Sequence, residues 1–166
     1  MISAVIYSSQ AGSCKKYAEK IASELGIEAK PLGIGVVNSD QVIYVGWLMA
    51  GHIVGLNEAR KYYKVAGVVQ VGISPVTRTS EAEGRKANSV NYNTAFFCKQ
   101  GAYDKTKIPG WQRVLMKPVT KKIEWDLLKK DKLNAQEQAL YVMVTTGFGE
   151  PAGWNVDDVV AFAKNK

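Results

Sequence analysis

Ser3-Ala4-Val5-Ile6-Tyr7-Ser8-Ser9-Gln10-Ala11-Gly12-Ser13-Cys14 is the stretch that decides the fold of this chain. Ser3–Tyr7 is a short apolar run bounded by a polar, glycine-containing turn over residues 8–13, so it reads as a buried strand. After the turn, Tyr17, Ala18, Ile21, Ala22 and Leu25 recur at the i, i+4, i+8 spacing of an amphipathic helix, and Gly26 stops it. A strand, a tight turn of small residues and a helix form the opening of a βα unit.

The same alternation continues. Residues 27–32 make a weaker strand and 41–46 a stronger one, followed by a Gly-rich loop and a helix over 56–63. Residues 67–73 form another buried strand ended by Ser74-Pro75; 79–87 is helical and 94–98 is a fifth strand. Strands alternating with helices predict a parallel sheet covered on both faces. The pattern then changes. Trp111, Leu115, Val119, Ile123 and Leu127 stand at strict four-residue spacing, which predicts a helix over 110–130 with one apolar face, kinked or split by Pro118. Asn134 with Glu137 predicts a capping box for a helix ending at Gly147, although the β-branched run 140–146 also suits a strand. A short helix over 155–164 closes the chain, with Val156, Val159, Val160 and Phe162 inward.

At 166 residues the chain has the length of a single domain, spanning 1–166. It holds two cysteines, no CxxC and one histidine, which excludes a disulfide framework and a Cys/His zinc site. It begins on an apolar run without a basic leader and has no apolar stretch of about 18 residues, so a cytoplasmic location is expected, with peripheral membrane contact left open. The net charge of +7 is not spread evenly. Residues 99–132 carry ten Lys/Arg against four acids, and the rest of the chain twelve against eleven.

Where the first strand turns into the first helix, free backbone N–H groups and the helix dipole suit a phosphate. Small residues let the backbone approach it, and Ser9 and Ser13 add hydroxyls. An ordinary turn with Ser13 as a cap explains the same residues. The GKS/GKT of a triphosphate loop and the GxGxxG of a dinucleotide fold are both absent.

Ser9-x-x-Gly12-Ser13-x-Lys15-Lys16-Tyr17-Ala18 after a first strand resembles the phosphate loop of flavodoxin-like proteins. In particular it resembles the flavodoxin-domain branch that includes menaquinone-dependent protoporphyrinogen oxidase. The likeness continues through Tyr44–His52 after strand three, Val71–Pro75 after strand four, Phe96-Phe97 with Gly101 after strand five, and the helix over 111–122. It implies a three-layer α/β sandwich with a five-stranded parallel sheet ordered 2-1-3-4-5, extra C-terminal helices, and FMN where the strand order reverses. On that basis Ser9, Gln10, Ala11, Gly12, Ser13 and Cys14 hold the phosphate. Trp47, Leu48, Met49, Ala50, Gly51 and His52, with Ser74, Pro75 and Arg78, flank the ring. The implied function is electron transfer or flavin-dependent oxidoreduction with an unnamed redox partner, protoporphyrinogen oxidation being its far extreme. Two positions depart from the family's pattern: Cys14 stands where a hydroxyl is usual, and Trp47 where a small or polar residue is common. Both favour the alternative, a flavodoxin-fold binding or regulatory module without FMN.

Four further features need separate weighing. His52 is either a proton donor beside a flavin or a surface histidine. Cys98, ending an apolar strand, reads as core, and Cys14 at a helix start as a redox-sensitive thiol of lowered pKa. The basic segment 99–132 is a solvated helix face, or docks on an anionic membrane surface or an acidic protein. No nucleic-acid motif accompanies it.

Overall fold

Apolar side chains alternate between the two faces of the central strands, and this alternation builds two cores on one sheet. The computed structural model describes residues 1–33 and 41–166. In it β1 (Ile2–Tyr7), β2 (Glu28–Pro31), β3 (Gln41–Met49), β4 (His52–Ile53), β5 (Lys64–Gly72) and β6 (Ala95–Gln100) share one sheet. Its path is β2-β1-β3-β5-β6, all parallel, with β4 folded back antiparallel on the end of β3. Counting the parallel strands alone, this is the 2-1-3-4-5 order, and helices cover both faces: a flavodoxin-like three-layer sandwich.

Val5, Ile43, Val45, Val69 and Val71 point to one face. There α1 (Ser13–Leu25) buries Tyr17, Ala18, Ile21 and Ala22, and α6 (Asp157–Lys164) buries Val159, Val160 and Ala163. Ile6, Val42, Tyr44 and Val68 point to the other, against Leu56 and Ala59 of α2 (Leu56–Tyr62) and beside α3 (Ser80–Ala87). Each fully buried aliphatic side chain contributes about 1.5–3 kcal/mol, so these strands are the main source of stability. The closing helix α6 thus belongs to the sandwich itself.

What stands apart is an excursion between β6 and α6. It leaves through β7 (Tyr103–Asp104) and returns through β8 (Phe148–Gly149), which pair antiparallel and clasp its two ends together. Within it lie α4 (Gly110–Leu128) and α5 (Ala135–Thr146). The capping box at Asn134 and Glu137 is formed, Gly147 ends α5 with φ 80, and residues 140–146 are helical.

α4 differs from expectation in two ways. Pro118 does not split it. The missing amide leaves the Val114 carbonyl without its helical donor, on the exposed side of the helix where that loss costs least. Nor do Trp111, Leu115, Val119, Ile123 and Leu127 form one face. A step of four residues overshoots a 3.6-residue turn by about 40°, so the row winds round the helix. It begins exposed at Trp111 and ends buried at Leu127. The face toward α5 carries Met116, Thr120, Ile123 and Leu127. No helix among the described residues is long and apolar enough to cross a membrane.

Candidate functional site

From β1 the chain steps out to β2, and β3 follows on the other side of β1, so the strand order reverses between β1 and β3, where sheets of this kind form a crevice at the carboxyl ends of the strands. The Ser8 amide donates to the Val45 carbonyl at 3.1 Å and pins the loop to β3. The Gly12 amide donates to Ser9 Oγ at 3.1 Å. Gly12 has φ 98, in the left-handed region that side chains strain to occupy. Ser9 and Gly12 are exposed, Gln10 and Ala11 half-buried. The first turn of α1 carries no acid. Lys15 and Lys16 stand beside it, each 3.6 Å from a carboxylate, of Glu19 and Glu150 respectively. The loop therefore offers accessible backbone and positive potential to an anion.

Ser13 and Cys14 turn their side chains inward. Ser13 Oγ accepts from the Ala102 amide at 2.9 Å, and an added Cβ at Gly101 would stand 3.2 Å from Ser13 Oγ and 2.8 Å from Val71. Gly101 is thus required by a close approach, which ties the exit of β6 to the start of α1. Cys14 is buried, and burial pushes its thiol up to about 12. The expected lowering at a helix start is overturned because desolvation of the thiolate outweighs the dipole. Neither side chain is therefore offered to the loop's opening. Burial likewise pushes Tyr44 up to about 12; its hydroxyl donates to the Val54 carbonyl at 2.6 Å and lies 2.9 Å from Ser8 Oγ.

The Gly-rich loop expected after strand three is a hairpin. Met49 pairs with His52 and Leu48 with Ile53 around Ala50 (φ 49) and Gly51 (φ 83), a two-residue turn with both central φ positive. Trp47 is half-buried against the core on the α1 side, and Leu48 packs on the opposite face above Gly72. Met49, Ala50, Gly51 and His52 are exposed. His52 lines a separate cavity of about 230 Å³ with Ile53, Asn57 and Asn88, toward α2 and α3. In the 74–78 loop Ser74 and Arg78 are exposed and Pro75 is half-buried. This loop is fixed at Val76, whose amide donates to Gln136 Oε1 at 2.7 Å, and at Thr77, whose amide donates to Ser80 Oγ at 2.9 Å.

Three glutamines outside the expected set organise the rim. Gln112, in the first turn of α4, spans the crevice: Gln10 Nε2 donates to its Oε1 at 3.3 Å, and its own Nε2 lies 3.9 Å from Met49 Sδ. Gln100 is 3% exposed. Its Nε2 donates to the carbonyls of Ile73 (3.0 Å) and Gln136 (2.9 Å), and its Oε1 accepts from the Ala152 amide at 3.3 Å. Its own carbonyl accepts from Tyr17 Oη at 2.7 Å. The third is Gln136, already named at Val76. The only signal for Gln100 was a polar residue closing the apolar run 95–98. Cys98 is half-buried beside Gln70 and is pushed up to about 11, chiefly by burial.

The expected residues thus gather in three segments at one end of the sheet, with His52 turned aside. The Ser9–Gly12 loop is open and the helix start that follows it carries no acid, and the exposed tip at Met49–Gly51 and the 74–78 loop stand at the same end of the sheet. No protein-family model matches this chain, and no curated protein matches it at a significant level.

Proposed function

We propose that the chain is an FMN-binding redox protein of the flavodoxin-like family. The observation that carries this reading is the exposed, acid-free Ser9–Gly12 loop at the start of α1, set where the strand order reverses. When bound, the flavin supplies the electron chemistry. The chain's own residues would hold the phosphate through backbone N–H groups and Ser9, with the hairpin tip, the 74–78 loop and the Gln112 amide available to the ring. Among the described residues the side chains here include no nucleophile–base pair, so a redox partner would meet the ring directly.

A second reading, a flavin-free binding module, is favoured by Ser13 and Cys14 facing inward and by Gln112 already bridging Gln10 and Met49. One titration decides between them. FMN fluorescence should be quenched by micromolar protein, while riboflavin, which lacks the phosphate, binds at least tenfold more weakly. Ser9→Asp, which places a carboxylate in the loop, should weaken FMN at least tenfold and leave riboflavin unchanged. Protein that purifies colourless and quenches neither flavin excludes the redox reading.

A further inference from the structure

α4 is covered on one side only. Trp111, Val114, Leu115, Val119, Trp125 and Leu128 are 62%, 63%, 64%, 47%, 66% and 61% exposed, from the first turn of the helix to the last. Together they leave apolar surface on the order of 500 Å² open, near the upper end of what a soluble monomer displays as its largest patch. The patch is about 26 Å long at the rise of an α-helix.

The charges on this face choose among possible occupants. Lys117, Lys121 and Lys122 are exposed and make no ion pair among the described residues. Around the helix Lys122 falls between Trp111 and Leu115, and Lys121 between Val114 and Leu128. Lys129 lies 4.5 Å from the Trp125 ring and 3.9 Å from Asp126, an acid that falls between Leu115 and Val119 and is already paired by this contact. The lysines are therefore interleaved with the apolar groups and do not form a separate rim. A second copy of the chain would bring this face onto itself and set lysine against lysine. A protein partner would have to bury lysines in the centre of the contact, where they are depleted. A lipid surface accepts both: indole and aliphatic groups enter the acyl boundary while each ammonium reaches back to a phosphate.

We propose that α4 is a docking surface for an anionic lipid bilayer, lying in the headgroup plane with Trp111 and Trp125 as its anchors. Its length and lysine content suit lying on a membrane and do not suit crossing one. Docking does not depend on what the crevice binds.

The test is co-sedimentation of the full chain with vesicles of phosphatidylcholine alone and of phosphatidylcholine with about a third phosphatidylserine. Three lysines near a charged surface, each contributing about a fivefold factor, predict about a hundredfold preference for the anionic vesicles, falling steeply as salt rises. The triple variant Lys117→Glu, Lys121→Glu, Lys122→Glu should lose that preference, and Trp111→Ser with Trp125→Ser should weaken binding at least tenfold to the same vesicles. All five positions are exposed, and thermal melting of each variant verifies folding. Equal partition onto both vesicle types overturns the proposal. So does anionic binding that survives the lysine reversal in a folded variant. Salt-sensitive binding to polyglutamate without vesicle binding also overturns it, in favour of an acidic protein, and a concentration-dependent dimer without vesicle binding overturns it in favour of self-association.

Discussion

Replacing Gln100 by methionine keeps the volume of the side chain and removes its hydrogen bonds. The side chain is 3% exposed and joins the exit of β5, the start of α5 and the segment at Ala152. Ala152 is itself exposed, so its amide can turn to water. The Ile73 carbonyl, however, loses its donor from a buried side chain, whereas the Gln136 carbonyl lies inside α5 and keeps a helical donor. At about 1–3 kcal/mol for a group left unpaired, Gln100→Met should destabilise the chain by about 2 kcal/mol. For a domain of this size each kcal/mol lowers the melting temperature by about 2–4 °C, so the expected fall is about 4–8 °C. Gln138→Met is the control, because Gln138 is exposed and donates only to the Leu133 carbonyl at 3.2 Å; it should shift by no more than about 2 °C. Melting followed by circular dichroism reads both. A Gln100→Met protein melting within about 2 °C of the parent would refute the claim that this glutamine ties the three segments together.

Thiol chemistry gives a second check: with Cys14 pushed up to about 12, the thiolate at pH 8 is on the order of one part in ten thousand. Iodoacetamide should leave Cys14 untouched in the native protein and modify it on unfolding, with the half-buried Cys98 reacting first; labelling of native Cys14 within minutes would contradict its burial. Acidification tests the α5 cap. Glu137 is held below the ordinary carboxylate range by its contact with Lys130 and by the Asn134 amide. That stabilisation is fully present above the unfolded value of about 4.3 and is lost as pH falls through the lower folded value. The melting gap between parent and Glu137→Gln should therefore be open at neutral pH and close in acid, and a gap that stays constant would show that the charge plays no part.

The sandwich was legible because its signals are repetitive. Each buried strand is a run of apolar residues, and α1 shows its inner face in Tyr17, Ala18, Ile21 and Ala22, so strand order and layers followed. The capping box of α5 was legible for another reason: two side chains at a fixed spacing satisfy each other. Illegible features depended on single residues or on geometry that a spacing rule misstates. The Ala50-Gly51 turn lacks the Asn-Gly pair that announces a hairpin, so the segment read as a loop. The four-residue row on α4 suggested one face because the eye rounds 3.6 up to four. The sequence around Cys14 shows a helix start and does not show its burial, which is what sets its reactivity. Gln100, Gln112 and Gln136 make no pattern, since a polar side chain that bridges loops is defined by partners far away in the chain.

The clasp of β7 and β8 has a consequence for how such a chain can vary. Because Tyr103 pairs with Gly149 and Asp104 with Phe148, the excursion begins and ends at one point on the sandwich. Lengthening or shortening the polypeptide between those pairs changes the closure entropy by only about 0.6 kcal/mol per doubling. Substitutions on the outer face of α4 can therefore accumulate at little cost to the sheet. Among the described residues, bonds through Gln100, Gln112 and Gln136 link the excursion to the crevice. Transplanting the clasped segment onto another sandwich of this topology would need two matched residue pairs and those three glutamine contacts, and would carry its surface chemistry along whole.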